Sequence, residues 1–142
     1  MAYIDGSSAG NPGEAGYGVV LRDEGGDVLE AVGRYIGRAT NNVAEYQGLL
    51  GCLELTRQHE ARSLIVYSDS QLLVNQMKGI YRVKKPHLKV LHTRALDTLK
   101  DRSIQFEIHY IPREKNREAD RLARRAIRLR SEVYGNSGSP EG

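Results

Sequence analysis

Four carboxylates in this 142-residue chain stand where an acid could do chemistry. Asp5 lies in an apolar, β-prone run, Tyr3-Ile4-Asp5, and is followed at once by a turn rich in glycine (Gly6, Gly10, Gly13). A strand-borne charge is costly to bury unless something pairs it. The glycines let the backbone bend tightly and let a large ligand come close. A buried acid beside an open backbone points to a metal site at which a polyanion docks. Glu45 sits three residues after Asn42, a spacing that a capping box explains equally well. Asp69 follows the apolar run Leu64-Ile65-Val66-Tyr67 directly. The carboxyl end of such a strand is a ligand-binding position in α/β sheets, and Ser or Asp there would also cap a helix. Asp120 falls between an apolar stripe (Ala119, Leu122, Ala123, Ala126) and an arginine face (Arg117, Arg121, Arg124, Arg128). Taken alone, it is a solvated helix acid pairing with Arg124 one turn on.

The elements that must position these acids are legible from hydrophobic periodicity. Residues 2–8 read as a strand, and Tyr17 to Arg22 as a second, which turns at Asp23-Glu24-Gly25-Gly26 into a third from Val28 to Ile36. From Asn42 to His59 the apolar period becomes helical through Val43, Tyr46, Leu49, Leu50 and Leu53. Leu64–Tyr67 is a short buried strand, and a helix from Ser70 to Met77 stops at Gly79. Pro86–Leu99 is helical, Ile104–Tyr110 alternates as a strand, and Asn116–Arg130 is the last helix. The order β-β-β-α-β-α-α-β-α predicts an α/β domain over residues 1–130. Its mixed sheet has five strands, three antiparallel and then two alternating with helices, with helices on its faces. Residues 131–142 are rich in Gly and Ser and are expected to form a flexible tail.

Composition sets the frame. With 39% hydrophobic and 27% charged residues the chain is ordinary for a globular domain of this size. No apolar run approaches the roughly 18 residues of a membrane span, and the first residues lack a signal-peptide layout. One cysteine, Cys52, excludes an internal disulfide and fits a reducing compartment, so cytoplasm is the expected location. A net charge of +3 is compatible with a nucleic-acid partner without demanding one. Its distribution is more telling: Arg82, Lys84, Lys85, His87 and Lys89 cluster in one segment, and the arginines of the last helix in another, where they read as a solvated face. No cysteine–histidine cluster offers a zinc site, and Gly10-Asn11-Pro12-Gly13 lacks the Gly-Lys-Ser/Thr ending of a phosphate loop. His59, His87, His92 and His109 read as structural, and Cys52 as a small buried residue.

Taken jointly and in order, Asp5-Gly6-Ser7, Asn41-Asn42-Val43-Ala44-Glu45, Ser68-Asp69-Ser70-Gln71 and Asn116-Arg117-Glu118-Ala119-Asp120 resemble type 1 ribonuclease H, from about Tyr3 to Arg128. The resemblance implies a ribonuclease H-like fold. It also implies a cluster of Asp5, Glu45, Asp69 and Asp120 holding two Mg2+ ions, with Mn2+ as a substitute and Asp5 touching both ions. The implied activity is endonucleolytic hydrolysis of the RNA strand of RNA–DNA hybrids, leaving 3′-hydroxyl and 5′-phosphate ends, by a monomer with no membrane partner. Gly6, Ser7, Asn41, Asn42 and Gln71 match substrate-contacting positions. Amide side chains suit a wide A-like minor groove, where 2′-hydroxyls distinguish RNA from DNA.

Three features depart from the family pattern. The loop before Asp120, Ile111-Pro112-Arg113-Glu114-Lys115, lacks the histidine that assists turnover in the best-known members, so that either Arg113 or Glu114 replaces it or the role is absent. Val43 stands where many members carry a basic residue. The Gly79–His87 segment is too short for the extra helix that forms a basic protrusion; Arg82, Lys84 and Lys85 either substitute in part or form a solvated loop, and reduced hybrid affinity is expected. Two other readings stay open: a metal-dependent nuclease of the same superfamily with structured or duplex RNA as substrate, and a non-catalytic nucleic-acid-binding module.

Overall fold

The computed structural model describes residues 1–135. Six strands and four α-helices follow one another as β1 (Ala2–Gly10), β2 (Gly13–Arg22), β3 (Val28–Ala39), α1 (Asn41–Gln58), β4 (Ser63–Ser68), α2 (Gln71–Met77), α3 (Pro86–Asp101), β5 (Gln105–Tyr110), α4 (Arg117–Leu129) and β6 (Val133–Tyr134), with one 3-10 turn at Arg113–Lys115. The sheet runs β5-β4-β1-β2-β3-β6. β1 is its pivot: it pairs antiparallel with β2 and parallel with β4. The β2–β3 hairpin closes on Asp23, whose carboxylate accepts the backbone N–H groups of Gly25 and Asp27 at 2.9 and 3.0 Å.

α1 and α4 lie on opposite faces of the sheet. The larger core packs alternate residues of β1, β2 and β4 (Ile4, Val19, Val66) against Tyr46, Leu49 and Leu53 of α1, with Leu88, Leu91 and Ala95 of α3 behind. A smaller core under α4 joins Val20 and Ala31 to Leu122, Ala126 and Val133. Cys52 is fully buried in the larger core, as expected of a small apolar residue.

Among the described residues the sheet has six strands rather than five. Val133 and Tyr134 pair antiparallel with Gly33 and Val32, and Gly135 donates its N–H to Ala31 O at 2.8 Å. The burial of Val133 beside Leu122 and Ala31 holds this short strand to the edge. The predicted tail from 131 is therefore ordered as far as 135, and its remainder, 136–142, lies outside the described residues. No described helix is long and apolar enough to cross a membrane.

Candidate active site

The sheet register brings the first two acids together. Ile4 is the parallel partner of Ser68, so Asp5, partway along β1, stands beside Asp69, which follows the carboxyl end of β4. Ser70, not Asp69, caps α2, accepting Leu73 N–H at 3.1 Å, and Asp69 is left free of capping. The same logic frees Glu45. Thr40 caps α1 by accepting Val43 N–H at 3.2 Å, Asn42 lies within the first turn, and no Asn42–Glu45 capping box forms. Glu45 Oε1 instead accepts the N–H of Gly6 at 2.6 Å, which ties the start of α1 to β1.

That tie depends on a glycine. A Cβ built on Gly6 would lie 2.3 Å from Glu45 N and 2.4 Å from Ala44 C, both backbone atoms. The room at Gly6 is thus filled by α1 itself. On the other face a Cβ on Gly18, the cross-strand partner of Asp5, would lie 2.0 Å from Ala119 O. Bare backbone there lets α4 settle against the sheet and carry Asp120 to the cluster. Asn116 locks the arrangement: buried ahead of α4, it donates its Nδ2 to Ile4 O at 2.7 Å, one residue from Asp5.

Asp5, Glu45 and Asp69 each present a carboxylate oxygen within 4.8 Å of the other two. Asp120 stands outside that trio. Its carboxylate accepts Arg124 Nε at 3.0 Å, as the i+4 spacing predicts, yet its side chain reaches Asp5 closely enough to disfavour the charged form of that acid. Burial, reinforced by Glu45 and Asp69, pushes the Asp5 carboxyl up to about 10. Burial and Asp69 push Glu45 up to about 8 against the opposing Gly6 hydrogen bond. The nearest balancing cation, Arg113, lies 3.9 Å from Asp69 on an almost fully exposed side chain. A buried, oxygen-only, mutually repelling donor set fits a hard divalent cation such as Mg2+.

These shifts fix how the metal-free protein responds to pH. Both groups hold protons in the folded state that the unfolded chain releases at ordinary values of 3.8 and 4.5. Their contribution to stability is therefore complete below about pH 4 and is lost as pH rises toward about 8 and about 10. Thermal melts in chelator should show the transition temperature falling from pH 5 to pH 9, with Mg2+ restoring most at the alkaline end. A flat profile in chelator would contradict the assigned burial.

The predicted substrate residues rim the cluster. Ser7 continues β1 past Asp5 and is half-buried, while Asn41 and Gln71 are exposed in the first turns of α1 and α2. Asn41 donates its N–H to Asn11 Oδ1 at 3.0 Å, which anchors the β1–β2 turn beside α1. Asn42 lines a cleft with Ile80, Arg82 and Lys85, in the segment that joins α2 to α3 with no helix of its own. Arg113 and Glu114 are exposed on the 3-10 turn ahead of α4, with Arg113 leaning toward Asp69. Sequence reasoning misses Asn116 and Gly18, whose contacts are all made across the fold; a polar residue directly before the last helix is the only local signal.

Comparison with known proteins agrees with this fold. A family model described as "Reverse transcriptase-like" matches residues 3–126. The ribonuclease HI of Haemophilus ducreyi is 36% identical over 115 residues, covering 77% of this chain and 71% of that protein. A bifunctional protein of Mycobacterium tuberculosis is 44% identical over 124 residues, 87% of this chain but only 34% of its own length. Halobacterium salinarum ribonuclease HI is 38% identical over 126 residues, 89% of this chain and 63% of that protein. The chain thus spans about a third of the mycobacterial protein and just under two thirds of the halobacterial one. Among solved structures, LC11-RNase H1 in complex with an RNA/DNA hybrid superposes with a TM-score of 0.87 at 41% identity, over 91% of this chain and 96% of that one. RNase H1 from the halophilic archaeon Halobacterium salinarum gives 0.86 at 38% identity, over 90% and 96%. On these matches, the chain belongs to the type 1 ribonuclease H family.

Proposed function

We propose that this chain is an endonuclease that hydrolyses the RNA strand of RNA–DNA hybrids, leaving 3′-hydroxyl and 5′-phosphate ends. The observation that carries the reading is the convergence of Asp5, Glu45 and Asp69 within 4.8 Å, beside the carboxyl end of β4, in a chain of this family. Asp5, Glu45, Asp69 and Asp120 would hold two Mg2+ ions, with Mn2+ as a substitute. Two such ions, when bound, supply an activated water and charge stabilisation for the leaving oxygen of an in-line displacement.

The chain's own residues prepare that chemistry. Asp5 and Glu45 retain protons until a cation displaces them, so metal binding releases protons and strengthens as pH rises. The Gly6 N–H holds the Glu45 carboxylate at 2.6 Å and keeps it facing Asp5. Arg124 holds one oxygen of Asp120 at 3.0 Å. Ser7, Asn41, Asn42 and Gln71 offer short polar groups for the minor groove and for 2′-hydroxyls, whereas the Gly6 N–H is taken by Glu45. Arg113 and Glu114 take the turnover role on the loop before α4; Arg113 can follow charge at Asp69 because its side chain is free in solvent.

Cleavage of an end-labelled hybrid in a Mg2+ titration tests the reading. Expected products carry 5′-phosphate at internal sites of the RNA strand, with a sigmoidal metal dependence that reports more than one ion. Products with 5′-hydroxyl ends would contradict it.

A further inference from the structure

α4 carries five arginines in thirteen residues, and all five (Arg117, Arg121, Arg124, Arg125 and Arg128) are exposed or nearly so. They share one open groove with Asp120, so the ridge begins at the acid cluster and runs away from it along the helix. The acids of α4 are already engaged: Glu118 pairs with Arg22 at 3.4 Å and Asp120 with Arg124 at 3.0 Å. Among the described residues Arg117, Arg121, Arg125 and Arg128 make no ion pair. This spacing works against the helix. Arg117–Arg121, Arg121–Arg125 and Arg124–Arg128 are like-charge pairs at i,i+4, and Arg117 adds a positive charge at the positive end of the helix dipole. Guanidinium groups suit phosphate through their planar fork of donors. The stretch from Arg117 to Arg128 rises about 16 Å, enough to follow on the order of five phosphates of one strand.

We propose that the outer face of α4 is a phosphate-backbone ridge that grips the nucleic acid where it leaves the acid cluster, extending the bound length of the hybrid beyond the cleavage position. This rests on the reading of the site as a hybrid nuclease. It also supplies a basic surface, on the opposite face of the sheet from α1, in a chain whose α2–α3 segment carries no helix.

The test is binding measured by fluorescence anisotropy in chelator, where no strand is cut, with the triple variant R121Q/R125Q/R128Q. On a long hybrid of about 24 base pairs, affinity should fall by about tenfold or more. The slope of log affinity against log salt should shrink by about 2–3, near 0.9 for each phosphate left without its arginine. A short hybrid of about 8 base pairs, reaching little past the acids, should be bound equally by both proteins. The triple variant should melt at or slightly above the wild-type temperature, since repulsive pairs have been removed. Unchanged affinity and salt slope on the long hybrid would overturn the ridge. A wild type that binds with the ridge-dependent slope but leaves the hybrid uncut in Mg2+ would overturn the hydrolase reading alone.

Discussion

Asp5→Asn is expected to lower the rate of hybrid cleavage by at least about a thousandfold, a barrier increase of about 4 kcal/mol, while making the metal-free protein more stable. Both effects come from one placement. Asp5 is buried on the pivot strand with Glu45 and Asp69 beside it, and its charged form is disfavoured first by burial and then by those two neighbours. The amide is close in size, keeps an oxygen to accept a hydrogen bond, and carries no charge to repel them. At neutral pH the removed penalty is on the order of a few kcal/mol, because each pKa unit corresponds to about 1.4 kcal/mol. The same substitution should flatten the decline of melting temperature with pH in chelator and shrink the stabilisation conferred by Mg2+. Calorimetry with and without Mg2+, beside a cleavage assay, checks all three. A variant less stable than wild type in chelator would contradict the repulsive cluster.

Gly6→Ala carries the second large effect, and here activity and stability fall together. The added methyl would meet Glu45 N at 2.3 Å and Ala44 C at 2.4 Å, and neither atom can rotate away as a side chain would. α1 must move off β1. That movement breaks the 2.6 Å hydrogen bond from Gly6 N–H to Glu45 and opens the trio. Loss of stability should be at least about 2–3 kcal/mol, at the upper end of the range for overpacking. Residual cleavage should demand far more Mg2+, because Glu45 no longer faces Asp5. Denaturant unfolding and a metal titration of the rate read the two consequences separately. Wild-type values for both would mean that α1 does not sit as close as described.

Much of this molecule is legible in its sequence. The switch from period two to period three-and-a-half around residue 40 marks β3 and α1, and element ends fall within a few residues of the structure's for every predicted element except β2, which begins at Gly13 rather than Tyr17. The acids can be placed on the right elements because strand ends and helix starts have local signatures. The misses share one cause. β6 is two residues long, and Val133 is apolar for a reason found only in Leu122 and Ala31 across the fold. Asn42 resembles a cap because it stands three residues before Glu45, yet Thr40 takes that role and releases Glu45 for Gly6. Gly6 reads as room for a ligand, and that room is occupied by α1. Asn116 is one polar residue among several in its loop, distinguished only by its reach to Ile4 O. Periodicity reports which face of an element is buried; it does not report which two backbones must touch.

The most direct test of the central claim places an RNA–DNA hybrid, duplex RNA and duplex DNA side by side with wild type and Asp69→Asn, each in Mg2+ and in chelator. The expected result is cleavage of the hybrid's RNA strand by wild type in Mg2+ alone, with Asp69→Asn slowed by at least about a thousandfold, again near 4 kcal/mol. Hybrid cleavage by Asp69→Asn at the wild-type rate, or cleavage of duplex DNA with the hybrid left intact, would contradict the assigned site and its chemistry.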